Sequence, residues 1–274
     1  MATKRIGWVA LLPALLLLLL TGFKAPKPGL TKVKRLTVWR AWADTTEHHE
    51  QLKWLEVKSE FYPNGELKRK LSFGYAGDTT GLTEYHLNAD STLKDDIWYN
   101  KYLKQWMPGS QYVYHPHMKQ PYMAHERFGY TSYYTYDAKG HQTNLRMVNE
   151  RKEPIFEYVY RYDADGLLTQ DSEFRFFNGQ RDDEKRTVYV YTKNSKGQVV
   201  QRDKRYVPTQ GPGPVVKTNR QGVTKITYHG GTNTPALLLE REYYNERQEV
   251  VRMDEFPHDN KLEFVTTYEY EYYN

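Results

Sequence analysis

The chain of 274 residues contains no cysteine. This absence excludes disulfide bonds, iron–sulfur clusters, thiol catalysis and cysteine-based zinc sites. It also excludes the acylated cysteine that anchors a bacterial lipoprotein. Stability must therefore come from a core and from backbone hydrogen bonds, and the chain is long enough to bury such a core.

The common catalytic motifs are also missing. The sequence has no Gly-Lys-Ser/Thr phosphate loop, no Gly-x-Gly-x-x-Gly after a predicted strand and no Gly-x-Ser-x-Gly elbow. Its paired acids, such as Asp95–Asp96 and Asp182–Asp183, are adjacent in sequence, whereas glycoside hydrolysis needs two carboxyl groups facing each other across a cleft. We predict that the protein is not an enzyme, and that it has no catalytic residues and no cofactor.

Two histidines are weak metal candidates. His115 and His117 stand two residues apart, so on an extended segment their imidazoles would point the same way. A catalytic zinc site uses three protein ligands, and this pair supplies only two. The sequence therefore predicts no metal site, and this pair is its only indication of an enzyme.

The positive charge is confined to the start of the chain. The formal net charge is +5, but residues 1–35 contain seven Lys or Arg and no acid, so the remainder carries −2. A nucleic-acid-binding protein would concentrate positive charge on its folded body. We therefore predict no nucleic-acid partner.

The N-terminus has the order of a secretory signal. Lys4 and Arg5 precede a run of 15 apolar residues, Ile6–Leu20, and the small residues Thr21 and Gly22 follow. The run is shorter than the roughly 20 residues of a membrane-spanning helix. We predict a signal helix over residues 1–22 and export to the periplasm, cell surface or medium. The alternative is an uncleaved membrane anchor, because the following basic residues oppose export.

The rest of the chain alternates with a period of two residues. Tyr158, Tyr160 and Tyr162 share one face of a predicted strand, and Asn64-Gly65 supplies the positive φ angles of a tight hairpin turn. Residues 23–51 form a basic flank and a first strand, and residues 52–274 form a domain of hairpin repeats. We predict an all-β fold, an antiparallel meander of hairpins that forms a curved sheet or an open, flattened barrel.

Two stretches carry a family resemblance. The units "YTYDAKG" and "YRYDADG" resemble the YD repeats of Rhs-type bacterial surface proteins, and "EFYPNGELK" is similar to the MORN-like repeat. The divergent copies also resemble exported envelope proteins of Bacteroidetes-type bacteria. The resemblance implies an exported β-hairpin architecture and no particular activity.

An aromatic, proline-bearing segment, 102–130, breaks the pattern and is predicted as an irregular insertion. Exposed aromatic side chains bind sugars or peptide edges, whereas buried ones would form a small satellite core. The candidate ligand-binding surface comprises Trp98, Tyr99, Trp106, Tyr112, Tyr114 and Tyr122.

The predicted function is that of a structural or interaction protein of the cell envelope. One alternative is a module that binds an envelope glycan or peptide through residues 98–122. Another is an outer-membrane β-barrel, which alternating strands favour and the many Lys and Arg residues in those strands oppose. Membrane contact is expected only through an uncleaved N-terminus, and open sheet edges would allow pairing with a second copy.

Overall fold

The structure is a computed structural model that describes residues 32–43, 53–177, 179–207, 217–218, 224–225, 237–256 and 261–273. The predicted signal helix, residues 1–22, lies outside the described residues. So does most of the basic flank.

The described residues are almost entirely β-structure, with one short 3₁₀ helix at Arg127–Gly129. The strands are β1 Val33–Trp42, β2 Lys53–Phe61, β3 Leu67–Phe73, β4 Thr79–Leu87, β5 Leu93–Asn100, β6 Gln105–Tyr114, β7 Pro121–His125, β8 Thr131–Tyr136, β9 Gln142–Val148, β10 Pro154–Tyr162, β11 Leu168–Phe177, β12 Gln180–Lys193, β13 Val199–Val207, β14 Lys217–Thr218, β15 Thr224–Lys225, β16 Leu237–Tyr244, β17 Val250–Glu255 and β18 Phe264–Tyr272.

Sixteen of these strands form one closed antiparallel barrel, and β14 and β15 pair separately. Each barrel strand pairs with the next along the chain, and β18 pairs with β1, from Val33 opposite Tyr272 to Trp42 opposite Phe264. The predicted all-β antiparallel meander is confirmed. The predicted curved sheet or open, flattened barrel is wrong, because the two edge strands pair with each other and leave no open edge.

The alternating tyrosines of the repeated units, such as Tyr134 and Tyr160, lie on the face that the closed sheet encloses. Tyr134, Leu145, Tyr160 and Ala124 form a buried cluster, and Tyr134 stands directly opposite Leu145 across β8 and β9. We call this face the inner wall and the opposite face the outer wall. The prediction that Tyr158, Tyr160 and Tyr162 share one face agrees with this arrangement, since Tyr158 and Tyr162 pack against the same cluster.

The Asp and Gly of the repeated motif build a five-residue turn. The N–H of Asp137 bonds the carbonyl of His141 at 2.8 Å, and Oδ1 of Asp137 accepts the N–H groups of Lys139 and His141 at 2.9 and 2.8 Å. Gly140 has a φ of 84°, a conformation that disfavours side chains with a Cβ. The same backbone hydrogen bonds recur in the turns at 62–66, 88–92, 163–167, 194–198 and 245–249.

The tyrosine beside each turn ties its hairpin to the preceding one. The hydroxyl of Tyr162 at the end of β10 donates to the carbonyl of Gln142 at the start of β9. No loop joins these two strands at that end of the barrel, so the hydrogen bond acts as the local connection. Equivalent bonds run from Tyr114 to Leu93, Tyr136 to Pro121, Tyr191 to Leu168 and Tyr270 to Val250, at 2.7–2.9 Å. We call this set the tyrosine ladder.

The aromatic segment 102–130 contributes strands β6 and β7 to the barrel, rather than the irregular structure that its Pro and Gly residues predict. Pro108 and Gly109 lie at an irregularity of the β5–β6 register between Asp95 and Ile97. There the carboxylate of Asp96 accepts the Ser110 N–H at 3.0 Å, so a side chain replaces the missing ladder bond. Bulges of this kind accommodate Pro and Gly within a strand.

Candidate functional site

The two ends of the barrel differ in chemistry. Because strand direction alternates, successive turns fall at opposite ends. The polar rim consists of the turns at 62–66, 88–92, 115–120, 137–141, 163–167, 194–198 and 245–249. The aromatic rim consists of the turns at 74–78, 101–104, 126–130 and 149–153 together with the strand ends beside them, including Phe177 and Leu237.

Large apolar side chains project from the aromatic rim. Tyr102 is 86% exposed, Phe128 79%, Phe177 69%, Leu103 58% and Tyr75 55%. These side chains belong to four separate connections of the barrel. Their exposure at the same end of the barrel makes this end the candidate recognition surface.

Local backbone geometry turns three of these side chains outward. Oδ1 of Asn100 accepts the N–H groups of Tyr102 and Leu103 at 3.0 and 3.1 Å, which fixes a tight turn with both side chains outside it. Phe128 has a φ of 61°, a left-handed conformation that is strained for a bulky residue. Such strain persists where the surrounding structure holds it, and it occurs often at functional sites.

Aromatic pairs support the rim from below. The rings of Trp42 and Phe264 lie 4.3 Å apart, and those of Trp54 and Tyr75 lie 5.2 Å apart. The first contact joins β1 to β18, and the second joins β2 to the turn after β3. Edge and tilted contacts between rings add about 0.5–1.5 kcal/mol each beyond area burial.

A buried polar cluster holds the turn at 126–130 in place. Asp96, which is 5% exposed, accepts from the Arg127 guanidinium at 3.1 Å. The Arg127 guanidinium also lies 4.8 Å from the centre of the Trp98 ring. Ser110 donates to Glu126 at 2.6 Å. These contacts therefore hold in place the turn from which Phe128 projects.

The six predicted aromatic residues do not form one surface. Tyr99 and Trp106 lie side by side at the aromatic rim, with ring centres 5.6 Å apart. Trp98 points inward and donates to the Pro108 carbonyl at 3.2 Å. Tyr112 packs against the buried cluster, and burial raises its pKa well above the usual value.

Tyr114 and Tyr122 lie at the other end, beside the polar rim. Tyr114 belongs to the tyrosine ladder, and Tyr122 stacks on His115 at 4.0 Å. His117 occupies the same turn with a φ of 66°. In the part of the chain that the structure describes, no three His, Asp or Glu side chains converge as a metal site would require.

Sequence reasoning missed most of the rim. Tyr75, Leu103, Phe128 and Phe177 are exposed but lie far apart in sequence. The available signal was the presence of large apolar residues at positions that form turns in the structure, such as "KYLK" at 101–104, where small polar residues are typical.

A shallow groove descends from the aromatic rim along the outer wall across β8, β9 and β10. Tyr133, Asn144, Arg146, Lys152 and Glu157 are among its lining residues. Glu157 accepts from Asn144 at 3.0 Å and pairs with Arg181. The groove is open, and its lining combines the apolar Tyr133 and Val148 with the charged Arg146, Lys152 and Glu157.

Comparison with known proteins identifies no family. No family model matches the chain, and no curated protein matches it. These comparisons therefore do not establish that the chain belongs to the YD-repeat or MORN-repeat proteins.

Several solved structures are similar at low identity. A porin-like protein from Bacteroides uniformis is 10% identical over 88% of this chain and 98% of its own, with a TM-score of 0.33. A porin-like protein from Bacteroides vulgatus is 11% identical over 88% of this chain and 99% of its own, with a TM-score of 0.34.

A TcdB2-TccC3-Cdc42 chain is 11% identical over 81% of this chain, with a TM-score of 0.32. This chain spans about a tenth of that one. At these scores the similarities carry no argument about function. Among the described residues, no helix has the length and apolar character needed to cross a membrane.

Proposed function

We propose that this chain is a non-enzymatic structural or interaction protein of the cell envelope. Its barrel presents the outer wall to water and engages its partner through the aromatic rim. The signal-like N-terminus supports an envelope location, and the absence of cysteine is compatible with one.

The distribution of charge on the outer wall carries this proposal. Charged pairs occur on the strands on both sides of the β1–β18 junction, and Glu157 on β10 pairs with Arg181 on β12. They include Arg35–Glu271 at 2.8 Å, Arg69–Glu84 at 2.7 Å, Asp203–Arg241 at 2.7 Å and Arg252–Asp254 at 2.7 Å. A lipid-facing wall instead needs an apolar band about 25 Å tall, and each Arg or Lys at its middle costs roughly 2–4 kcal/mol.

The ionisable groups of the inner wall support a role without catalysis. Arg40 bonds Glu56 at 3.0 Å and Glu255 at 2.6 Å. Lys204 bonds Glu240 at 2.8 Å, and Arg202 pairs with Glu242. Side chains engaged in such mutual pairs stabilise the wall rather than act on a substrate.

Phase separation in a non-ionic detergent tests the water-facing wall. We expect the chain from residue 23 onward to purify without detergent and to enter the aqueous phase. The full chain, with its apolar run Ile6–Leu20, is the matched control and should enter the detergent phase. If the shorter chain requires detergent and resists alkaline carbonate extraction, the proposal is wrong.

The second candidate is an outer-membrane β-barrel. It is favoured by closure of the sheet with an even number of antiparallel strands, sixteen, in the described part of the chain. The charged pairs of the outer wall count against it. Insertion into bilayers from detergent, with a folded band that shifts on heating in denaturing gels, would support this candidate.

A glycan- or peptide-binding module remains the third candidate. Tyr99 and Trp106 at the aromatic rim supply its aromatic platform. Retention on a glycan array that depends on Trp106 would support it.

A further inference from the structure

Lys152 holds a backbone conformation that glycine occupies in most of the equivalent turns. In the described chain, eight hairpin turns combine a hydrogen bond from the N–H of the fourth residue to the carbonyl of the first with a positive φ at that fourth residue. Five of the eight residues are glycines, namely Gly65, Gly77, Gly140, Gly166 and Gly197. Lys152 has a φ of 63°, which is unfavourable for a residue with a Cβ.

Gln248 shows what a long side chain gains at this position. Its Oε1 accepts the Val199 N–H at 3.0 Å, and its Nε2 donates to the Val199 carbonyl at 3.1 Å. The side chain of Lys152, in contrast, has no hydrogen bond or ion pair with any other described residue, and it lies exposed in the groove of the outer wall. Strain that is kept without an internal contact points to a role outside the fold.

The groove holds a second cation and an exposed aromatic ring beside Lys152. Tyr133 on β8 stands directly opposite Arg146 on β9, and both side chains are exposed and line the groove. Within the described chain, the Arg146 guanidinium has no ion pair either. Two cations are therefore available to a ligand that lies on the Tyr133 ring.

The nearby carboxylates do not cancel this positive charge. Glu157, the carboxylate among the described lining residues, accepts from Asn144 at 3.0 Å and pairs with Arg181. Glu150 and Glu153 of the turn at 149–153 line a neighbouring hollow instead of this groove. The groove itself is therefore suited to an anion.

The shape and strand pairing of the groove favour a saccharide over a peptide. An extended peptide gains affinity by adding to a free sheet edge, but β8, β9 and β10 each pair on both sides. A helical peptide needs an apolar groove, and this groove is lined mostly by polar and charged residues. A tyrosine ring offers an apolar face to a sugar ring, and an Arg fork matches an acidic group with paired N–H donors.

We propose that this groove binds a saccharide that carries an acidic group, with the sugar ring on Tyr133 and the acidic group held by Arg146 and Lys152. The site is separate from the aromatic pair Tyr99 and Trp106 at the rim. The inference rests on the proposed water-facing outer wall, because the groove must be reached from water.

Isothermal titration calorimetry with galacturonate oligomers tests the proposal, using the chain from residue 23 onward. The same oligomers with methyl-esterified carboxylates are the neutral control and should bind roughly tenfold or more weakly. Sulfated galactose oligomers, compared with unsulfated ones, form a second arm that distinguishes a carboxylate from a sulfate as the acidic group.

Lys152→Gly is the decisive variant. It should lose about tenfold in affinity for the acidic oligomers, because it removes a charged hydrogen-bond donor. It should also stay folded with an undiminished Tm, because glycine adopts a positive φ without strain. Gln248→Gly at the equivalent position should lower the Tm and leave binding unchanged. Lys196→Ala, an exposed lysine of the polar rim, controls for net charge and should bind like the unmodified chain.

Tyr133 and Arg146 give a second comparison. Arg146→Gln should weaken binding about tenfold for the same reason as Lys152→Gly. Tyr133→Ala should weaken it severalfold, whereas Tyr133→Phe keeps the ring and should bind like the unmodified chain.

Three outcomes would overturn the inference. One is the absence of binding by both kinds of acidic oligomer. Another is equal affinity of Lys152→Gly and Gln248→Gly for them. A third is tighter binding of polyglutamate, also lost in Lys152→Gly, which would assign the groove to an acidic protein partner. In each case a chain that enters the aqueous phase leaves the proposed function standing. Entry into the detergent phase would instead contradict the proposed function itself.

Discussion

Asp203 shows how single residues make the outer wall compatible with water. Its carboxylate accepts from Arg241 at 2.7 and 2.9 Å, from Arg205 at 2.9 Å and from Gln201 at 2.9 Å. These bonds, the Arg241 bond first, lower the pKa of Asp203 to about 2 although the residue is only 4% exposed. A carboxylate placed in this way stabilises the fold only while it is ionised.

Replacing Asp203→Asn should lower the free energy of unfolding at neutral pH by about 2 kcal/mol, because one pKa unit corresponds to 1.36 kcal/mol. Since the folded-state pKa is depressed, this contribution is present above the unfolded pKa near 4 and is lost as pH falls through about 2. The variant should therefore show a flatter stability profile between about pH 4 and pH 2, measured by urea unfolding.

The matched control is Glu269→Gln. Glu269 lies 3.9 Å from Lys53 in a well-exposed pair, and such pairs contribute about 0–1 kcal/mol. An acid profile of Asp203→Asn identical to that of the unmodified chain would contradict the assigned role of Asp203.

Individual strands and turns could be predicted where the sequence contains residues that favour tight turns. Asn64-Gly65 predicts the turn between β2 and β3, and the structure places Gly65 there with a φ of 94°. Segment 102–130 was not predicted, because Pro108 and Gly109 are typical of loops. What keeps them in a strand is the Asp96 carboxylate from the neighbouring strand, a contact that local sequence does not reveal.

The tyrosine ladder gives a test of how neighbouring hairpins are joined. Tyr162→Phe and Tyr191→Phe each remove one hydroxyl donor and should each lower the free energy of unfolding by about 1 kcal/mol. Tyr133→Phe, on the outer wall, is the control and should change it by less than about 0.5 kcal/mol. Urea unfolding measures all three.

Amide hydrogen exchange locates the effect. We expect faster exchange near Gln142 in Tyr162→Phe, where β9 and β10 meet without a connecting loop. If Tyr162→Phe, Tyr191→Phe and Tyr133→Phe are equally stable, the ladder is not what joins the hairpins.

At the scale of the whole molecule, closure is the feature that sequence reasoning missed. Val33 and Tyr272 stand opposite each other although almost the entire chain separates them. Periodicity predicts strands, and turns predict which neighbours pair, but neither shows whether the first and last strands meet. The aromatic rim was missed for a different reason, because Tyr75, Phe128 and Phe177 are far apart in sequence and the alternating strand directions bring them to one end.

Disulfide formation across the β1–β18 seam, the strand pairing that closes the barrel, tests the closed barrel most directly. The chain has no cysteine of its own, so any disulfide must join the two introduced residues. Thr37 faces Glu269 and Val38 faces Tyr268, and adjacent pairs alternate between wide and close spacing. At least one of the double variants Thr37→Cys/Glu269→Cys and Val38→Cys/Tyr268→Cys should therefore form an intramolecular disulfide.

The readout is the faster migration of the cross-linked monomer in a non-reducing gel, with Thr37→Cys/Tyr133→Cys as the unpaired control. A closed barrel predicts near-complete cross-linking in a seam variant and little in the control. Failure of both seam variants to cross-link within one chain, in folded protein, would contradict the closed barrel.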